Sequence, residues 1–302
     1  MTRRISSRRG FRARWLAACI LGPLILSHDA ALAATEPTVL QRSERWNVNY
    51  DADSCSLFGT FGSGEDTIIV HFVRFAPSTF FNLTLVGAPF KSPYSEDNLT
   101  VDFGPTINPR RFNTMNGTWG SQPMAILQDP VRLDDYVPPA YAREFVEPPM
   151  TPAMEQAVTS LTVTVSGRKA YRLDLGPMDR AMAAMNRCTS DLVKSWGLDP
   201  TGQATLSRRA KPRTSPNSWI DSSDYPTNPL HRGQPSLVRF RLMVDEKGAV
   251  TGCHIQRATQ GPAFERATCT NMMRHGRFEP ALDASGKPVA SYYASAVRFI
   301  IR

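Results

Sequence analysis

At 302 residues, with 41% apolar and 21% charged residues, the chain has an ordinary globular composition and room for two domains. That composition excludes a wholly disordered chain and a multi-span membrane protein. Of the formal charge of +8, most sits in residues 1–33, with six arginines and one acid; the remainder balances 29 bases against 26 acids. So even a balance lacks the basic patch or stripe of a nucleic-acid binder.

Arg3, Arg4, Arg8, Arg9, Arg12 and Arg14 precede an apolar run at Trp15–Leu26, and "ALA" follows at Ala31–Ala33. This is the layout of an export signal cleaved after Ala33. The apolar run is far shorter than the roughly 20 residues of a membrane span. "SRRGF" at Ser7–Phe11 resembles a twin-arginine motif, and an ordinary Sec signal rich in arginine fits equally. Cys19 lies inside the apolar run and not after it, which argues against a lipoprotein box.

Signal removal leaves Cys55, Cys188, Cys253 and Cys269. An even count in an exported chain favours disulfides over free thiols. Cys253 and Cys269 are close together in one small unit, so the expected bridges are Cys253–Cys269 and Cys55–Cys188. No C-x-x-C or paired-histidine spacing marks a metal site.

Residues 34–60 read as a polar lead-in. Strands are expected at Thr67–Phe75, Phe81–Gly87, Asn98–Gly104, Ser160–Gly167 and Ala170–Gly176, where β-branched and aromatic residues alternate with polar ones. "SGRK" between the last two is a hairpin turn. Residues 128–156, rich in proline and acids, read as irregular. A long helix follows, with Pro177 at its start and Gly197 at its end. Its stripe of Met178, Met182, Met185, Cys188, Leu192 and Trp196 has helical spacing and reads as core contact. Residues 199–220, with three prolines and the basic cluster Arg208–Arg213, read as a solvated linker.

From Ser236 the pattern sharpens. "LVRFRLMVD" sets Leu237, Arg239, Arg241 and Met243 on one face and Val238, Phe240, Leu242 and Val244 on the other. The turn Asp245–Gly248, a second strand, a helix at Pro262–Gly276, a crossing segment and the closing strand "SYYASAVRFIIR" complete a ββαβ order. The expected fold class is α+β: an export signal over 1–33, a β-rich domain with one long helix over 34–198, a linker over 199–220 and a small ββαβ domain over 221–302.

Five marks in this last region occur in order: "YP" at Tyr225–Pro226, the "DEKGAV" turn, "FER" at Phe264–Arg266, "RFEP" at Arg277–Pro280 and a Gly-Lys-Pro-Val turn at 286–289. With them, residues 223–302 resemble the C-terminal domain of the TonB family of energy transducers. Where the family often has glycine before the first strand, this chain has Ser236, with Gly233 three residues earlier.

The resemblance implies a periplasmic domain that binds an extended peptide of an outer-membrane transporter by strand addition. Carried onto this sequence, the partner-binding residues are Asp224, Tyr225 and Pro226 with Ser291, Tyr292, Tyr293, Ala294 and Ala296. Ala294 or Ala296 is expected to turn its N–H toward the partner. The alternative cover for that edge is the first domain or a second copy of the chain, as a homodimer.

A folded domain stands where a transducer carries a long proline-rich spacer. The expected function is therefore that of an exported, non-catalytic binding protein. The alternative is an unusual transducer whose uncleaved N-terminal segment anchors it in the inner membrane, the one case that brings it into membrane contact. Residues 34–198 hold a single histidine, His71, and no G-x-S-x-G, H-E-x-x-H or P-loop pattern. Neither catalytic residues nor cofactor or metal ligands are expected.

Overall fold

Between residues 36 and 175 alternating apolar and polar residues set up strands, because a period of two sends one set of side chains to a common interior. The computed structural model describes residues 36–94, 96–137, 147–165 and 169–301. The export signal expected over 1–33 and residues 166–168 of the expected hairpin turn lie outside the described residues.

The strands are β1 (Thr38–Gln41), β2 (Asn47–Tyr50), β3 (Cys55–Phe61), β4 (Ile68–Arg74), β5 (Asn82–Val86), β6 (Glu96–Asp102), β7 (Arg110–Trp119), β8 (Gln122–Leu127), β9 (Ser160–Val165) and β10 (Ala170–Asp174). A helical turn, α1 (Pro152–Ala157), precedes β9. Together they form a ten-stranded sheet in the order β1-β10-β9-β6-β7-β8-β5-β4-β3-β2. A bridge from Arg42 to Phe61 ties the end of β1 to β3, so the sheet curls until its ends meet.

The polar lead-in expected over 34–60 thus holds three strands. Their pattern is hidden by Cys55, Ser56 and Gly59 in β3. Gly59 is there because Trp46 lies across it: a Cβ would stand 2.6 Å from the indole ring.

The long helix, α2 (Asp179–Ser195), places Met182, Met185, Cys188 and Leu192 in the same core as Leu57, Phe72 and Leu83. Gly197 ends it with φ +81°, a conformation few other residues adopt cheaply. Two links fix the helix to the sheet. One is the disulfide Cys55–Cys188. The other is buried Arg74, which donates to the Phe80 carbonyl (3.2 Å) and to Asn186 Oδ1 (2.5 Å).

After α2 come α3 (Pro200–Ala204), β11 (Lys211–Pro212), α4 (Thr227–His231), β12 (Ser236–Val244), β13 (Val250–Ala258) and α5 (Pro262–His275). Three two-residue strands follow, β14 (Phe278–Glu279), β15 (Ala281–Leu282) and β16 (Pro288–Val289), and then β17 (Ser291–Phe299). A three-stranded sheet runs β13-β12-β17, both pairings antiparallel. Gly248 makes the β12–β13 turn at φ +81°, where a Cβ would meet the Phe278 carbonyl oxygen at 2.0 Å.

Residues 199–220 do not span solvent as the expected linker would. β11 pairs with β14, Arg208 exchanges backbone bonds with Leu282, and Trp219 is buried against Phe278 and Tyr293. The segment is a strap that completes the second core. Leu206, Ala210, Trp219 and Ile220 touch that core, and of the prolines that suggest a linker Pro200 opens α3, Pro212 lies in β11 and Pro216 opens a helical turn. The two cores lie within one compact unit, Glu36–Arg302.

Cys253–Cys269 spans 16 residues and Cys55–Cys188 spans 133. Loop-closure entropy assigns them about 3 and about 5 kcal/mol. Replacing Cys55 and Cys188 together by alanine is expected to lower the urea-unfolding free energy more than replacing Cys253 and Cys269. The opposite ranking would contradict the loop-length argument.

Candidate functional site

A strand at a sheet edge has one row of backbone groups with no strand beside it. Hydrogen bonds to Leu237 determine which residues of β17 form that row. Its N–H donates to Thr259 Oγ1 (2.9 Å) and its carbonyl accepts from the Thr259 N–H (3.0 Å), so both backbone groups of Leu237 face β13. β12 runs regularly, because the register shifts are absorbed by extra residues in β13. Alternation therefore turns the backbone of Val238, Phe240, Leu242 and Val244 toward β17. Their partners Val297, Ser295, Tyr293 and Ser291 face inward. Tyr292, Ala294, Ala296 and Arg298 face outward, with no backbone bond to any described residue.

Ala294 and Ala296 are two residues apart and share a direction, so both turn their N–H outward; the expectation that only one would do so is corrected by the strand's period of two. Tyr293 is packed into the second core beside Phe278 and Trp219. Tyr292 sits edge-on to Trp196 at 5.0 Å. Burial raises the pKa of both phenols. Ser291 donates to Gln203 Oε1 (2.6 Å), which fastens the start of β17 to α3.

Tyr225 lies under the other end of the strand, its ring 5.6 Å from both Phe264 and Phe299, and its hydroxyl donates to the Gln234 carbonyl. Asp224 closes a capping turn by accepting from the Asp221 N–H (2.9 Å), and Pro226 leads into α4. The structure thus brings Tyr225 to the strand from inside the core.

Residues 221–301 match the family model described as Gram-negative bacterial TonB protein C-terminal. No curated protein matches the chain. The TonB match points to protein interaction or to energy transduction for transport.

The face of the TonB-type sheet turned away from α5 is covered by the first domain, and arginines form the contact. Arg241, 5% exposed, lies 4.1 Å over the Trp196 ring and faces Asp53 at 3.5 Å. Arg239 and Arg257 both lie 5.3 Å from the Phe75 ring. Burial, with Arg298 and Arg257 close by, pulls Arg239 down to about 10, which still leaves it charged at neutral pH. Gln256 donates to the carbonyls of Phe75 (2.6 Å) and Asp53 (3.2 Å). Arg298 pairs with Asp129 at 2.6 Å. In the sequence Arg239 and Arg241 look like an ordinary solvated face; the one signal available was two arginines on a strand whose other face is wholly apolar.

Among the described residues, no helix is long and apolar enough to cross a membrane, and no group of three His, Cys, Asp or Glu is placed to hold a metal ion. His71 is stacked on Phe58 at 4.1 Å and lies 5.1 Å from Trp119. Burial, reinforced by Arg257, lowers its pKa from 6.5 to about 3. So weak a base is poorly matched to proton transfer at neutral pH.

The same shift has a stability consequence. Above pH 6.5 His71 is neutral in both folded and unfolded chains and contributes nothing. As pH falls toward 3, the unfolded chain takes a proton that the folded chain refuses, so stability drops and then levels off. His71→Gln is expected to lose less unfolding free energy than the unmutated protein between pH 7.5 and 4.5; equal losses in urea titrations would contradict the shift.

Proposed function

We propose that the mature chain is a non-catalytic periplasmic binding protein whose β17 edge accepts an extended segment of a partner protein as an added strand. One observation carries this reading: the outward backbone groups of Tyr292, Ala294, Ala296 and Arg298 stand in a row with no strand of the described residues beside them. Such a row is a template for pairing. The TonB match supports a protein partner, and a segment of an outer-membrane transporter is the first choice. The arginine-rich N-terminus, short apolar run and "ALA" at Ala31–Ala33 support export and cleavage.

Each outward residue offers one donor and one acceptor. A backbone bond gains about 1 kcal/mol net. Ordering each partner residue costs about 1–2 kcal/mol. Main-chain pairing alone therefore gives weak binding, and partner side chains must add contacts beside the strand.

The test uses the mature chain from the periplasm, whose mass should correspond to a start at Ala34. Ala296→Pro removes an outward donor and leaves the inward bonds to β12 intact. It is expected to weaken binding of transporter-derived peptides by about tenfold or more, or about 1.4 kcal/mol. Ala296→Val, which keeps the N–H, should bind nearly as well as the unmutated chain. Equal calorimetric affinity for the proline and valine variants would place the partner elsewhere. An unmutated chain that binds no such peptide would sink the transporter assignment.

A further inference from the structure

Between the outer face of the barrel and the far end of β13 lies a cleft of about 440 Å³, within the range of small-molecule sites. Its floor is a cross-strand row: Phe58 on β3, His71 on β4, Thr84 on β5 and Ile126 on β8 stand side by side in register. Trp119, at the tip of the β7–β8 hairpin and 43% exposed, forms one wall 5.8 Å from Phe58. Arg257, Ala258 and Thr259 form the wall from the TonB-type domain.

Two features of this cleft point to a ligand. His71 is 6% exposed and Ser56 1%, yet His71 Nε2 and Ser56 Oγ have no hydrogen-bond partner among the described residues. Buried polar atoms are nearly always satisfied, so two orphans on residues that line one cleft mark it as a place where the protein's own groups leave polar atoms uncompensated. The second feature is a large aromatic side chain left half in solvent beside a floor of mixed polarity, where a packed core would have hidden it.

The lining also sets the chemical class. Arg257 stands 3.8 Å from Asp51, so the cation is already countered and an anionic ligand would meet a carboxylate. Asn49, Thr84, Thr118 and Thr259 offer both donors and acceptors. The matching ligand group is a hydroxyl, which also does both, whereas a carboxylate only accepts. Trp119 and Phe58 supply flat surfaces for the C–H face of a ring. We propose that this cleft binds a neutral, polyhydroxylated ligand of disaccharide size, stacked on Trp119.

The test titrates the mature chain, disulfides intact, with cellobiose, maltose and N,N′-diacetylchitobiose, and with indole-3-acetate as an aromatic anion. Saturation-transfer NMR and calorimetry give the readout. At least one disaccharide should saturate the protein at millimolar concentration or below. Trp119→Ala, at an exposed hairpin tip, should weaken it about tenfold or more, or about 1.4 kcal/mol, without shifting thermal unfolding. Saturation by indole-3-acetate alone, no saturation by any probe, or unchanged disaccharide affinity in Trp119→Ala would each overturn the proposal.

Discussion

The arrangement rests on how the second face of a three-stranded sheet is buried. α5 covers one face with an apolar core of Val238, Phe240, Leu242 and Phe264. The other face carries Arg239, Arg241, Arg257 and Arg298, and it is pressed against a barrel. Cations cannot be buried there without compensation. The barrel supplies it with the rings of Phe75 and Trp196 and the carboxylates of Asp51, Asp53 and Asp129. Because that face is occupied, the direction of every strand in the small sheet is fixed relative to the barrel, and β17 is held with its outer edge away from β12.

The four arginines are unequal in weight. The Arg298 and Arg257 pairs are half exposed, and such pairs contribute about 0–1 kcal/mol. Arg241 is buried, stacked at 4.1 Å and paired with Asp53. Desolvated cation–π contacts reach about 2 kcal/mol. Asp53 is 38% exposed, so water screens its pairing with Arg241 and removing either partner costs less than breaking a fully buried pair. The contact between the domains therefore depends most on Arg241, Trp196 and Asp53. Trp196 ends the stripe that begins at Met178, so the helix that closes the first core also presents the ring that receives the second domain. Cys55–Cys188 fixes that helix to the sheet.

Legibility in the sequence followed period and composition. Ile68–Arg74, Ser160–Val165, Ser236–Val244 and the Met178–Trp196 stripe were readable because their apolar residues repeat at two or at helical spacing. β3 was not, because Gly59 accommodates Trp46 from across the fold, a tertiary demand that looks like a gap in the pattern. The strap 199–220 was misread because a few apolar residues among prolines average to a linker, although each of them is buried or half-buried in a core. At the candidate edge the closing strand was legible, but that Ala294 and Ala296 both face outward was missed. Tyr225 in the core and the arginine face were not, since each is decided by what packs on it. The Trp119 cleft left no local signal, because its walls come from strands far apart in the chain.

The central claim is that Glu36–Arg302 forms one compact unit and that, among the described residues, the outer edge of β17 is left open. Residue-by-residue amide hydrogen exchange on the protein tests it most directly. The N–H groups of Tyr293, Ser295 and Val297 are expected to be strongly protected by β12, while those of Ala294 and Ala296 exchange quickly, a strict alternation along one strand. Protection of Ala294 and Ala296 equal to that of their inward neighbours, in the absence of any partner, would mean that the edge is already covered and would contradict the account.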